Sequence, residues 1–568
     1  MTSPETHKTD SQNSDGIAVS IALAQLNSHL GNVSANCKKL LEIRERAAAQ
    51  RADVIVTPEM FLSGYPADDL VLRSDFMGRI EGAIATLATA TADGGPALIV
   101  GAPFRDGDVL YNSAFVLDGG AIVARRDKVN LPNYGVFDDK RHFNAGLLQG
   151  PVSLRGMRLG IAICEDIWFQ DLCEMLGETG AEIILSLNAS PFENAKTDMR
   201  MMHAISRMTE TGLPFIYVNM VGGQDELVFD GNSFALNLGG KRASQLPAFT
   251  EGLSLLEVRK QKGRCHLTGQ ISQPASPEED VWRALTLGLR DYVEKNRFPG
   301  VILGLSGGID SAVVAVLAVD ALGPERVRVV MMPSDYTADI SVTDANALAN
   351  NLGLTLETIP LRPGMSAFDA MLGASFEGTV IDVTEENIQS RLRGMILMAL
   401  SNKFGNMVLA TGNKSEYAAG YSTLYGDMCG GFAPIKDVWK TDIFKLAEWR
   451  NSELPRGAMG PDGEVIPRRI ITRPPSAELR PDQQDTDSLP PYDTLDAILI
   501  ALTEEMADIQ TITDRGYDRQ VVERASALLF RTEYKRFQAA PGPKVTPRAF
   551  GRDRRLPLTS GFKPHLQD

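Results

Sequence analysis

Three segments of the chain end apolar runs on residues able to attack a carbonyl, take a proton or hold a negative charge. They are Pro58-Glu59-Met60, Lys128-Val129-Asn130-Leu131-Pro132 and Ile163-Cys164-Glu165-Asp166. An amide carbonyl resists nucleophiles, so a cysteine that opens one must act as a thiolate. An adjacent carboxylate can take the thiol proton, and a lysine ammonium can stabilise the charge that develops on the carbonyl oxygen. Cys164, Glu59 and Lys128 are of the types those three tasks require. Taken singly, each also has an ordinary reading. A cysteine closing an apolar strand is a small core residue, and a loop glutamate or lysine is a solvated charge.

A second signal is the string Val301-Ile302-Leu303-Gly304-Leu305-Ser306-Gly307-Gly308-Ile309-Asp310-Ser311, a strand feeding a Ser/Gly loop and then an apolar helix. Glycines let a backbone approach phosphate closely, a helix N-terminus offers unpaired N–H groups, and two serines add donors. The loop lacks the Gly-Lys-Ser/Thr ending that would send a lysine to the β- and γ-phosphates. A tight turn kept for packing explains the Gly-Gly pair but leaves Ser306, Asp310 and Ser311 without a role.

The elements that must position these residues divide into two patterns. Residues 17–268 mix helices with strands, expected at 17–26, 53–57, 98–102, 159–163, 183–187 and 215–218, and with a helix over 33–50 capped by Asn32. Glycine turns at Asp118-Gly119-Gly120 and Leu238-Gly239-Gly240 predict two hairpins, hence a layered sandwich with antiparallel pairing. Residues 269–280 lose apolar periodicity and read as a linker entering a helix cap. From 281 to 568 strands at 301–305, 327–332, 356–359 and 407–411 alternate with helices, which predicts an open parallel sheet with ligands at its carboxyl edge. Residues 453–491, rich in proline and charge, read as a lid or mobile loop, and 1–16 as a flexible tail.

At 568 residues the chain exceeds one ordinary core, so two large domains are expected. Lys and Arg number 57 against 72 Asp and Glu, a net charge of -15, which argues against a general polyanion surface. The basic run Lys544, Arg548, Arg552, Arg554 and Arg555 is therefore read as serving a small pyrophosphate-bearing ligand or acidic surfaces, not nucleic acid. No secretory signal or bilayer-length apolar run is present. Five scattered cysteines make neither a disulfide framework nor a zinc cluster, and a reducing, cytoplasmic setting is expected.

The first three segments, extended to Thr57-Pro58-Glu59-Met60-Phe61-Leu62-Ser63-Gly64-Tyr65-Pro66, residues 128–143 and 160–168, resemble the nitrilase or carbon–nitrogen hydrolase superfamily. The resemblance implies an α/β fold with a four-layer αββα sandwich. In it Glu59 is the general base, Cys164 forms a thioester, Lys128 stabilises the tetrahedral intermediate and glutamine is the ammonia source. It further implies that Tyr134, Ser190 and Lys196 contact glutamine, with Glu165 and Trp168 flanking the pocket. Lys196 could equally be a solvated charge at a helix start, and Ser190 a cap before Pro191. Asp139 stands where that superfamily is expected to carry a glutamate, one methylene longer.

The glycine loop resembles that of N-type ATP pyrophosphatases, which implies a doubly wound parallel sheet of the adenine nucleotide α-hydrolase kind. ATP would then be bound by Gly304 to Ser311 and Thr411, and Mg²⁺ by Asp310 and Glu416. Several enzymes share that loop, so the acceptor is read from later segments. Residues 386–393, 410–416, Gly420-Tyr421-Ser422-Thr423-Leu424-Tyr425-Gly426-Asp427 and Glu533-Tyr534-Lys535-Arg536 resemble the NAD synthetase family. Asn387, Glu416 and Lys535 would then bind deamido-NAD. Both halves together resemble the glutamine-dependent branch. The implied reaction adenylates the nicotinate carboxylate and lets ammonia displace AMP, in a homo-oligomer, an octamer by resemblance, with no nucleic-acid or membrane partner. Amidation of another carboxylate or of a base, and a scaffold that keeps the folds without the chemistry, are the competing readings.

Overall fold

The computed structural model describes residues 18–564 apart from 195, 482 and 488, so the tail expected over 1–16 lies outside the described residues. Beside a two-stranded sheet, Val221–Gln224 with Leu227–Asp230, the first half is built on two large sheets. One has seven strands in the order Arg264–Thr268, Gly252–Gln261, Ala18–Gln25, Val54–Val56, Ala97–Asp106, Val109–Asp118 and Ala121–Asp127. The other has six, Lys241–Gln245, Phe234–Asn237, Phe215–Asn219, Ile183–Asn188, Met157–Ile163 and Val152–Leu154.

The first strand shows why the layers form. Successive side chains of a strand point to opposite faces. Val19, Ile21 and Leu23 enter the core between the sheets, while Ala22 and Ala24 face the core under the helices. The small alanines leave room for the helices Val33–Ala49 and Ser74–Ala90 to lie close. On the far side, Asp171–Glu178 and Lys196–Thr211 cover the six-stranded sheet. The result is helix, sheet, sheet, helix. Asn32 caps the first helix, its side chain accepting from the Ala35 N–H at 3.2 Å, and both glycine turns close hairpins.

The second half has a four-stranded, wholly parallel sheet in the order Leu356–Thr358, Val327–Met331, Val301–Gly304, Met407–Val408. Val301 and Leu303 pack into one core, and Ile302 and Val330 into another on the opposite face. Helices cover both sides, which is the doubly wound arrangement.

The stretch 269–280 is held to the first half, since the Gln245 N–H donates to the Gln270 carbonyl at 2.8 Å and the Ser272 N–H to the Gln245 carbonyl at 2.9 Å. Ser276 then caps the helix Pro277–Lys295, which begins ahead of residue 281. The segment 453–491 is packed, not structureless. Val465, Ile466, Ile470 and Ile471 are buried, and the Asn451 side chain bonds both backbone groups of Ile466 at 2.7 and 2.9 Å.

Candidate active sites

Glu59 lies just beyond the strand Val54–Val56, in a segment that crosses Gly101 so closely that a Cβ there would sit 2.4 Å from the Met60 nitrogen. Its carboxylate is 1% exposed and is held on both oxygens. Asn112 Nδ2 donates to Oε1 at 2.7 Å, Lys128 Nζ to the same oxygen at 2.8 Å, and the Ala189 N–H to Oε2 at 2.9 Å. Lys128 Nζ also donates to Asp139 Oδ2 at 2.8 Å, and the Tyr65 hydroxyl to Asp139 Oδ1 at 3.1 Å. The shorter carboxylate of Asp139 thus reaches the lysine. Burial disfavours the Lys128 charge, but Asp139 and Glu59 more than offset it and lift its pKa well above the ordinary value.

Cys164 ends the strand Met157–Ile163 with φ at +46°, a left-handed conformation that a non-glycine residue adopts only under constraint. The constraint is Asp166. Its carboxylate accepts the N–H groups of Ile163 at 2.9 Å, Val129 at 3.0 Å and Asn130 at 2.7 Å, fixing the cysteine turn to the Lys128 loop. Burial, aided by Glu59 and opposed by Lys128, pushes the Cys164 thiol well above its usual pKa. The thiol is thus the favoured form of Cys164 at rest, with the charges of Glu59 and Lys128 both acting on it.

Around this trio, the Tyr134 hydroxyl donates to the Glu165 carboxylate at 3.0 Å, and Trp168 packs against His203 with ring centroids 4.1 Å apart and planes tilted by 32°. Ser190 is buried, and its Oγ accepts from Arg200 Nε at 3.0 Å. Lys196 opens the helix Lys196–Thr211, and its ammonium lies 5.4 Å from the Phe137 ring centre. It is 8% exposed and makes no ion pair among the described residues. Burial and the nearby Arg200 bring its pKa down to about 8. A buried cation with no carboxylate in contact is costly until a partner charge is supplied.

In the second half, Gly304, Leu305, Ser306, Gly307, Gly308, Ile309, Asp310, Ser311, Thr411 and Glu416 line one cavity of about 290 Å³. Gly307 has φ at +84°, and a Cβ on it would lie 2.4 Å from the Ser341 carbonyl oxygen, so only glycine fits. The two loop serines brace each other, Oγ to Oγ at 3.1 Å, and Ser306 Oγ accepts the Gly308 N–H at 3.2 Å. Asp310 accepts from Asn413 Nδ2 at 2.9 Å and from Lys440, which also lies 3.8 Å from Glu416. Burial and Asp310 raise the Glu416 pKa well above the carboxylate range.

Sequence reasoning missed several residues here. Lys440 and Arg393 line the cavity, and Asn112 supports Glu59; Asp485 and the segment from Arg473 to Leu479 line it too, within the stretch 453–491 expected to be a lid or mobile loop. Lys440 opens the helix Lys440–Ser452, in a setting that signals nothing beyond a surface charge. Asn387 and Lys535 do not line this cavity. Asn387 Oδ1 accepts from Thr423 Oγ1 at 2.8 Å. Lys535 Nζ donates to the Gly420 and Ser422 carbonyls at 2.8 and 2.6 Å and borders a second cavity of about 360 Å³, with Tyr421 shared between the two. Among the described residues no group of three His, Cys, Asp or Glu side chains is close enough to hold a metal ion.

Comparison with known proteins matches each half of the chain to a family. Residues 20–264 match the carbon-nitrogen hydrolase family and residues 281–539 the NAD synthase family. Over 96% of its length the chain is 47% identical to the glutamine-dependent NAD(+) synthetase of Rhodobacter capsulatus, 98% of which is covered. The chain belongs to the glutamine-dependent NAD(+) synthetase family. The Acinetobacter baylyi member of that family is 44% identical over 96% of this chain and 99% of its own. The structure of the Acinetobacter baumannii glutamine-dependent NAD+ synthetase, solved with adenosine diphosphate, superposes with a TM-score of 0.77. It shares 43% identity and covers 95% of this chain and 98% of its own. As a member of this family, the chain joins a nitrilase-type sandwich to an NAD synthase sheet.

Proposed function

We propose that the chain converts deamido-NAD to NAD with ATP, using ammonia freed from glutamine, and releases AMP, pyrophosphate and glutamate. The observation that carries the reading is the pairing, in one chain, of a buried Cys–Glu–Lys constellation with a separate glycine-loop cavity. We divide the labour at residues 269–280, with a glutaminase unit at 17–268 and a synthetase unit at 281–568.

In the first unit glutamine enters with its carboxylate on the Lys196 ammonium, near Tyr134 and Ser190. Glu59 takes the Cys164 proton as sulfur attacks the side-chain amide, and Lys128 holds the oxyanion. Glu59 then returns the proton to the departing nitrogen, and water hydrolyses the thioester. Asp139 acts by keeping Lys128 charged and aimed.

In the second unit the loop 304–311 cradles the phosphates while Thr411 helps hold ATP. The nicotinate carboxylate attacks the α-phosphorus, pyrophosphate leaves, and ammonia displaces AMP from the acyl adenylate. Asn387, Glu416 and Lys535 are assigned to the dinucleotide. The two carboxylates Asp310 and Glu416, with the single Lys440 charge beside them, suit an ion such as Mg²⁺ that draws its other ligands from water and phosphate. Bound there, Mg²⁺ would neutralise charge on the departing pyrophosphate. No helix among the described residues is long and apolar enough to cross a membrane. We read the enzyme as a cytoplasmic homo-oligomer of the octameric kind.

The test separates nitrogen sources. Cys164→Ala is expected to abolish synthesis from glutamine while leaving synthesis from ammonium salts. Asp310→Ala is expected to suppress synthesis from both and spare part of glutamine hydrolysis. A folded Cys164→Ala protein that loses both routes equally would refute the division.

A further inference from the structure

The C-terminal segment 541–554 runs between the two halves as a strap. Its Pro541 carbonyl accepts the Ala433 N–H at 2.8 Å, and Asp437 accepts the Val545 and Thr546 N–H groups at 2.8 Å, so it is anchored to the second half. It is also stitched to the first half. The Lys544 N–H donates to the Glu226 carbonyl at 2.7 Å, and the Val545 carbonyl accepts the Asn194 N–H at 3.0 Å. Between these stitches the Lys544 side chain, 5% exposed, reaches Glu193 in the turn that carries Lys196.

There Lys544 Nζ pairs with Glu193 Oε2 at 3.1 Å and with Asp553 Oδ2 at 3.3 Å. Glu193 and Lys196 share one turn, closed by the Lys196 N–H on the Glu193 carbonyl at 3.0 Å. A carboxylate and an ammonium so placed in a poorly hydrated site attract each other strongly. Yet Lys196 makes no ion pair among the described residues, while the Glu193 carboxylate is engaged by the strap. We infer that Lys544 is a positioning residue for glutamine binding: it draws the Glu193 carboxylate aside and so leaves the Lys196 ammonium open to the substrate carboxylate.

This deepens the glutaminase reading and rests on it. A residue of the C-terminal segment thereby completes the pocket of the N-terminal unit. The titratable groups that act most strongly on Lys196 are Arg200, Glu193, Lys544 and the Cys164 thiol. In Lys544→Met, Glu193 loses the strap's ammonium but keeps its attraction for Lys196, and substrate must compete with it.

The experiment measures glutamine hydrolysis, ammonium-driven synthesis and the pH profile in the full chain. For Lys544→Met the expected result is a KM for glutamine raised on the order of tenfold, with kcat and ammonium-driven synthesis near wild type. The alkaline limb of kcat/KM should move to higher pH, since a paired Lys196 holds its proton longer. Glu193→Gln added to Lys544→Met should recover most of the lost affinity, and Lys544→Arg should resemble wild type. If Lys544→Met fails to fold, Glu193→Gln alone decides, because it should move the alkaline limb to lower pH. A wild-type KM in Lys544→Met, equal loss of both nitrogen routes, no rescue by Glu193→Gln, or an unmoved limb in the single Glu193→Gln variant would each overturn the inference. A wild-type enzyme indifferent to glutamine would instead remove the glutaminase reading itself.

Discussion

At the scale of single residues, the decisive fact about Lys128 is that one ammonium serves two carboxylates while 1% exposed. Removing one partner from such a set leaves the remaining charges imperfectly matched in a dry site. Asp139→Asn is therefore expected to lower kcat for glutamine hydrolysis by about 10- to 100-fold, the scale of one charged hydrogen bond, without touching ammonium-driven synthesis. Asp139→Glu tests a separate point. Asp139 is 6% exposed and already in contact with Lys128 and Tyr65, so an added methylene should hinder rather than restore. Lys196 supplies the pH handle. Its pKa lies below the ordinary lysine value, at about 8, so the ammonium is present below that pH and lost as pH rises through it. The KM for glutamine should climb above pH of about 8, while the KM for deamido-NAD with ammonium as donor should not follow.

At the scale of elements, two glycines test whether the sites are independent. Gly101→Ala would place a Cβ 2.4 Å from both the Met60 nitrogen and the Pro58 oxygen, displacing the segment that carries Glu59. Gly307→Ala would strike the Ser341 carbonyl and strain a left-handed backbone. The first variant is expected to lose glutamine hydrolysis and keep ammonium-driven synthesis, and the second the reverse; assays of both routes on each protein decide it. The layers and both hairpins were legible in the chain because apolar alternation and glycine turns are local signals. So was the αL turn's occupant, Cys164, although nothing in the sequence announced its φ. The partners that complete each site were not legible. Asn112 lies within a strand far from Glu59 in sequence, and Lys440 meets Asp310 only after the chain has folded back across the sheet. Residues 453–491 read as aperiodic because the one α-helix among their described residues, Arg468–Thr472, is a five-residue piece, too short to show a period of 3.6.

At the scale of the whole molecule, the second half is tied together by a buried ion pair. Arg450 and Asp320, both fully buried, meet at 2.8 Å, and the Trp282 indole N–H donates to the same carboxylate oxygen at 2.9 Å. The pair joins three helices, Pro277–Lys295, Ile309–Leu322 and Lys440–Ser452. Arg450→Met leaves a carboxylate buried without its cation and is expected to destabilise this half by about 3–5 kcal/mol. Denaturant titration followed by tryptophan fluorescence should show the loss, and glutamine hydrolysis should outlast synthesis along the titration. The central claim, that nitrogen freed at Cys164 becomes the nicotinamide nitrogen, has a direct measurement. The enzyme is given deamido-NAD, ATP and glutamine carrying heavy nitrogen in its side-chain amide, and the dinucleotide product is weighed by mass spectrometry. Heavy NAD formed in equal amount with AMP and glutamate is the expected result. NAD without the label, or AMP and glutamate without NAD, would contradict it.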